Sequence, residues 1–253
     1  MTVPPTTDDR TGSVAPQDHP PIAFADADWQ WFVDALAAQE LPAPESTADL
    51  RATCEALYGH LVGVNRWLNL TRLVAPHDWL KYHLLDSLLL LGDKRLRHLR
   101  QGAPVVDLGS GGGYPGLPLA FWLPGYPWVL VDSRQRKVAF LQAAATLLPE
   151  AQVEARCFRG REAVCQAPDL RRRCQVVVSR AAAAVDKLLV ETRDLVAPNG
   201  YLLVAKGPAY AGEEHERALR QAGKAGFRFV SDRAVRLTPE DPERRIVVWR
   251  RVH

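Results

Sequence analysis

From Val105 to Ser133 the chain reads VVDLGSGGGYPGLPLAFWLPGYPWVLVDS: an apolar run, a glycine cluster, a helix-length segment and a second apolar run. Asp107 stands at the end of the first run, glycines follow at 109, 111, 112 and 113, and Asp132 closes the second run. Such a unit is a parallel strand, turn, helix and strand, and it restricts the fold to an open α/β sheet. Glycine lets backbone approach a ligand where a side chain would collide, and the start of the following helix is expected to offer free N–H groups. An acid about 20 residues past such a turn is expected at the end of the neighbouring strand, where it accepts hydrogen bonds from a ribose.

The spacing bears on which adenosine-containing cofactor is meant. A dinucleotide turn counted from Gly109 requires glycine at 114, where this chain has Tyr114; the same spacing from Gly111 falls too late and encloses Pro115. An acid two residues before the first glycine, as in Asp107-x-Gly109-x-Gly111, is the pattern of S-adenosylmethionine-dependent methyltransferases.

From Pro104 onward short β-branched runs alternate with helical segments. Strands are expected at 104–109, 127–132, 152–157, 174–180, 200–206, 226–237 and 244–251, the last two as an antiparallel pair. That is the α/β, class I (Rossmann-like) methyltransferase fold, a seven-stranded, mostly parallel sheet. Residues 101–253 would form this core, and 26–100 an N-terminal helical cap. Helices are expected from near Asp28, from about Leu50 to Leu68 behind a capping signal at Ser46-Thr47-Ala48-Asp49, and from Asp78 to about Leu91. Residues 1–25, rich in Pro, Thr and Asp, read as a disordered tail.

No apolar run is long enough to cross a bilayer, and nothing near the start resembles a signal peptide, which points to the cytoplasm. Cys54, Cys157, Cys165 and Cys174 form no Cys-x-x-Cys pair and the histidines add no zinc-like spacing, so buried free thiols and no metal site are expected. Charge is lopsided. Residues 1–92 hold 5 Lys and Arg against 12 Asp and Glu, net −7, whereas 93–253 hold 27 against 17, net +10. A basic half of that size suits a polyanion.

Ligands of open α/β sheets bind beyond the carboxyl ends of the strands. There stand Asp107, Gly109 and Gly111; Asp132 and Ser133; Arg159, Arg161 and Glu162; Ser179 and Arg180; Lys206 and Gly207. His83 and Asp86, three apart on a helix, share a face and either meet each other or project toward the cofactor mouth, with a structural or a catalytic role.

The segments NRWLNLTRL (65–73), HLLDSLLL (83–90), DLGSGGGYPGLPLA (107–120), VDSRQRKVAFL (131–141), VVSRAAA (177–183) and NGYLLVAKG (199–207) resemble, in order, the small-subunit ribosomal RNA guanine-N7 methyltransferase family, often called RsmG or GidB. The resemblance covers the chain from about residue 50 to its end. It implies methyl transfer from S-adenosylmethionine to N7 of a guanine in 16S ribosomal RNA, with the RNA or the small subunit as partner and a monomer as the default. Gly109 and Tyr114 would line the cofactor pocket, Asp132 would take the ribose hydroxyls, residues 161 and 162 would flank the adenine, and Arg180 would match the family's cofactor-contacting arginine. Two positions depart from the family. Tyr114 replaces the usual Phe or Leu and brings a hydroxyl that needs a partner. Gly160 occupies the place of an arginine, with Arg159 and Arg161 beside it. No general base is needed for N7, and no catalytic one is assigned. Arg134, Arg136, Lys137, Arg159, Arg180, Lys206, Arg244 and Arg245 are the candidates for gripping RNA phosphates. The alternatives are a class I methyltransferase for another RNA site or a small molecule, a nicotinamide-dependent oxidoreductase, or a non-catalytic assembly factor.

Overall fold

The computed structural model describes residues 12–180, 182–210 and 212–252. Seven strands, β1 (Val105–Leu108), β2 (Trp128–Asp132), β3 (Val153–Cys157), β4 (Cys174–Arg180), β5 (Val196–Lys206), β6 (Phe227–Val235) and β7 (Arg244–Arg251), form one sheet ordered β3-β2-β1-β4-β5-β7-β6. The first five are parallel, and β7 inserts antiparallel between β5 and β6. Strand order reverses between β1 and β4, so the crevice beyond their carboxyl ends is where this topology opens a site.

The parallel strands are apolar on both faces because both are covered. Val106, Val129, Val131, Val177 and Val204 face one buried cluster, and Val105, Trp128, Leu130, Val176 and Val178 face the other. The second cluster continues without a break into the N-terminal helices through Leu57, Leu61, Trp79 and Leu85. The cap and one face of the sheet therefore share a core. Burying each such side chain stabilises by about 1.5–3 kcal/mol.

Helix α1 is Asp26–Ala37 and α2 is Leu50–Leu68. Asp49 caps α2, its Oδ1 accepting from Ala52 N at 2.8 Å. Ser46 and Thr47, expected to share that cap, instead hydrogen-bond the Glu150 carboxylate across the chain. Residues 76–92 form one helical run with a π-helical stretch, Leu80–Leu85, in its middle. The wider turn there re-aims Tyr82, His83 and Asp86 relative to a regular helix.

The disordered tail expected for residues 1–25 needs correction over its second half; residues 1–11 lie outside the described residues. Phe24 is buried and stacks on Tyr58 and Trp79, and the Val14 carbonyl bonds His60 Nε2 at 2.8 Å. Aromatic burial against α2 overcomes the polar composition. The thiols are free, but only Cys54 and Cys174 are buried; Cys157 is half-buried and Cys165 exposed.

Candidate active site

The glycine turn after β1 is braced from beneath. Asp107 Oδ2 accepts from Ser110 Oγ at 2.7 Å and from Gly116 N at 2.9 Å, and the side chain is fully buried. Burial pushes its carboxyl up to about 6, outweighing those bonds and the Arg180 charge. Asp107, expected at the cofactor, thus holds the turn's shape and lines neither cleft described below. The N–H groups expected free at the start of the following helix are committed, Gly116 N to Asp107 and Leu117 N to the Gly113 carbonyl, and so are most of those in the turn: Gly109 N and Ser110 N donate to the Val131 carbonyl, Gly111 N to Asp132 Oδ2 at 3.1 Å, and Gly113 N and Tyr114 N to the Ser110 carbonyl. What the turn offers a ligand is bare backbone. Gly109 sits at φ +80°, and a Cβ there would lie 2.5 Å from that of Ala182.

Two clefts meet at Gly109, Gly111 and Arg180. One, about 490 Å³, runs along the ends of β2 and β3 past Asp132, Ser133, Lys137 and Arg159. The other, about 360 Å³, lies under the helical cap and is walled by Thr71, Tyr82, His83, Asp86, Tyr114 and Arg244. Asp132 fixes the seam from the first side: besides Gly111 N, its carboxylate accepts from Arg134 N at 2.9 Å.

Arg180 fixes it from the other. Its Nη1 donates to Asp86 Oδ2 at 2.8 Å and to the Tyr82 carbonyl, and its Nη2 to His83 Nδ1 at 3.3 Å. With Nδ1 accepting, the His83 ring proton belongs on Nε2, which faces Thr71 Oγ1 at 3.0 Å and the Leu73 carbonyl at 3.3 Å. Burial, aided by Arg180, lowers the His83 pKa to about 4, so the ring is neutral at pH 7. His83 and Asp86 thus meet through Arg180. Tyr114 stacks on His83, ring centres 4.7 Å apart, and its hydroxyl accepts from Trp79 Nε1 at 2.6 Å, the partner its burial requires. The loop carrying Thr71 is pinned by Asn65, whose Oδ1 accepts from Leu70 N and Thr71 N.

A family model described as rRNA small subunit methyltransferase G matches residues 51–231. The chain belongs to that family. Among its relatives, the ribosomal RNA small subunit methyltransferase G of Sorangium cellulosum is 35% identical over 195 residues, covering 76% of this chain and 75% of that one. The protein of the same name from Myxococcus xanthus is 33% identical, covering 80% and 88%, and that of Deinococcus deserti 36%, covering 73% of each. Among solved structures, geranyl diphosphate methyltransferase superposes with a TM-score of 0.51 at 14% identity, covering 72% of this chain and 82% of that one, a likeness of fold.

Family membership makes the differences from the sequence expectation instructive. Gly109, Gly111, Tyr114, Asp132, Ser133 and Arg180 all line the clefts; Arg161 and Glu162 do not. Glu162 turns back to accept from Arg159 N at 2.9 Å, and Arg161 N is held by Glu191. Gly160 packs so closely that a Cβ would lie 2.3 Å from the Glu191 carbonyl, so no arginine fits there. Of the two arginines flanking Gly160, Arg159 lines the cleft and Arg161 does not. Of the phosphate candidates, Lys206 pairs with Glu214 at 2.9 Å, Arg244 with Asp86 at 3.4 Å, and Arg245 with Asp232 and Glu243. Arg134, Arg136, Lys137 and Arg159 have no ion-pair partner among the described residues. Tyr82 and Lys187 also line the clefts and were missed: a tyrosine within a helix and a lysine after β4 carry no motif of their own. No described helix is long and apolar enough to cross a membrane, and no described cluster of three His, Cys, Asp or Glu could hold a metal.

Proposed function

We propose that this chain transfers the methyl group of S-adenosylmethionine to N7 of one guanine in 16S ribosomal RNA. Besides family membership, the observation that carries this reading is the pair of clefts meeting at a bare glycine turn, one closed by a carboxylate and the other by aromatic rings and a neutral histidine. The residues fit the cosubstrate. Asp132 supplies acceptors for ribose hydroxyls, Gly109 and Gly111 leave space at the seam, and Phe158 and Arg159 wall the far end of the larger cleft. Both clefts lie within one chain, so a monomer suffices.

S-adenosylmethionine supplies an electrophilic methyl on a cationic sulfur; the protein's residues supply position. Guanine N7 presents an in-plane lone pair and no proton at neutral pH, so attack requires no base. His83 is unsuited to that role, because its free lone pair already accepts from Arg180. Its use is to fix Arg180, together with Asp86 and the Tyr82 carbonyl, and the acceleration rests on orientation. Asp86 also balances the Arg180 charge beside a base that becomes cationic as it is methylated. Arg134, Arg136, Lys137 and Arg159 would hold phosphates while the guanine leaves its stack.

The test is transfer of label from S-adenosylmethionine to small ribosomal subunits from cells lacking the modification, followed by mapping. Label at N7 of a single guanine is expected. Label on another atom or another RNA, or none at all, overturns the reading.

A further inference from the structure

All the phosphate candidates read from the sequence lie at the carboxyl ends of the strands. The opposite end of the sheet carries a second cationic surface. Arg172, just before β4, and Arg193, Lys224 and Arg251 line a cleft of about 260 Å³ that no acid lines among the described residues; Asp194, paired with Arg193, adjoins it. Arg172 and Arg180 bracket β4, so this cleft is about 26 Å from the cofactor seam along the strand.

The cleft is built. Arg251 is 5% exposed, and its Nη1 donates to the carbonyls of Ala225 at 2.6 Å and Gly226 at 2.9 Å, at the end of helix Glu213–Ala225. Gly226 must be glycine, since it sits at φ +74° and a Cβ would lie 1.8 Å from Arg251 Nη1. Arg251 Nε has no partner among the described residues. A buried guanidinium with no carboxylate partner among the described residues therefore forms the floor, and exposed Arg172, Arg193 and Lys224 form the rim. Burial and the charges of Arg172 and Arg193 lower the Arg251 pKa, and the opposing charge of Asp194 does not offset them. Arg193 bonds Asp194 through Nε at 3.2 Å, which leaves its terminal nitrogens for another acceptor.

We infer that this cleft is a second docking site for the ribosomal RNA backbone, gripping phosphates remote from the methylated base. The inference rests on the RNA reading above. Phosphodiester is favoured over an acidic protein segment because three of the four cations are arginines, whose planar forks match phosphate oxygens, and the charge is concentrated around one small cleft. Strand β7 joins the two ends, carrying Arg244 and Arg245 near the cofactor seam and Arg251 at the remote cleft. A substrate engaging both must extend well beyond the target loop.

The test uses the full chain with Arg172→Gln, Arg193→Gln and Lys224→Gln combined, all exposed positions that leave Arg251 in place. Binding to small subunits and to protein-free 16S RNA is measured by fluorescence anisotropy across a salt series, which needs no turnover. The expected result is a log–log salt slope shallower by about 2 to 3 and roughly tenfold weaker binding to both. Binding of a short hairpin holding only the target loop, and S-adenosylmethionine affinity by calorimetry, should not change. Equal slopes for variant and native chain overturn the inference. Weakened binding to subunits alone, with protein-free RNA unaffected, would assign the cleft to an acidic ribosomal protein and also overturn it. If the native chain binds RNA with this salt dependence but methylates nothing, the methyltransfer reading fails while the docking site stands. As a fold-independent check, Lys224→Glu alone should weaken RNA binding more than Lys224→Gln.

Discussion

On the cap side of the seam every candidate cation is tied to a carboxylate: Arg180 and Arg244 to Asp86, Lys206 to Glu214, Arg245 to Asp232 and Glu243. On the side of β2 and β3, Arg134, Arg136 and Arg159 are exposed and have no such partner among the described residues. The same residue types do different work in the two places. A paired, half-buried arginine is fixed in direction and shapes a wall; an exposed, unpaired one keeps its counterions and can exchange them for phosphates. Sign of charge alone therefore does not identify an RNA contact.

The largest effect that would break this contrast is expected at Arg180. Arg180→Ala leaves the buried Asp86 beside Arg244 alone and frees His83, so methyl transfer should fall at least about 100-fold, on the order of 3 kcal/mol. Arg180→Lys should recover little, because one ammonium cannot serve Asp86, His83 and the Tyr82 carbonyl together. Near-native turnover in either variant would reduce the cap-side network to scaffolding. Next comes Asp132→Ala, which should weaken S-adenosylmethionine binding by roughly 10- to 100-fold in calorimetry with the unfolding transition retained; unchanged affinity would remove Asp132 from the ribose.

The buried network should also show in the pH dependence of stability. Folding lowers the His83 pKa from 6.5 to about 4, so the unfolded chain binds more protons in that window and stability falls as the pH drops from 6.5 toward 4. Asp107, raised from 3.8 to about 6, contributes the opposite slope, taking up its proton first in the folded state. Comparing denaturant unfolding of the native chain with His83→Gln separates the two: the variant should lose less stability on acidification, by on the order of 2 kcal/mol. A parallel pH profile would place His83 outside the buried network. Tyr114→Phe strands the Trp79 N–H and should cost about 1–2 kcal/mol by the same measurement. The smallest effects belong to the open side. Arg134→Gln and Arg159→Gln should each flatten the salt dependence of RNA binding by about one in log–log slope, and Arg245→Gln, already paired twice, should do less.

Much of this was legible in the chain. Alternating apolar runs placed seven strands because burial on both faces leaves a local trace, and the glycines at 109, 111 and 113 marked positive backbone angles. Asp132 was legible as a cleft residue because an acid about 20 residues past the glycine turn falls at the end of the neighbouring strand. Residues 12–25 were misread because their polar composition hides the few aromatic and backbone contacts that hold them to α2.

By itself, then, the sequence determined the sheet, the turn and the set of residues at its rim, because period, glycine and strand-end position act over a few residues. Only tertiary structure decided how they are used. Arg180 meets Asp86 and His83 across more than 90 residues; N–H groups of the turn are taken up by Val131 and Asp132 on the neighbouring strand; and the buried Tyr114 hydroxyl finds Trp79, 35 residues away. Each outcome depends on which distant partner satisfies a buried polar group, and hydrogen-bond pairing over such separations leaves no periodic signal along the chain.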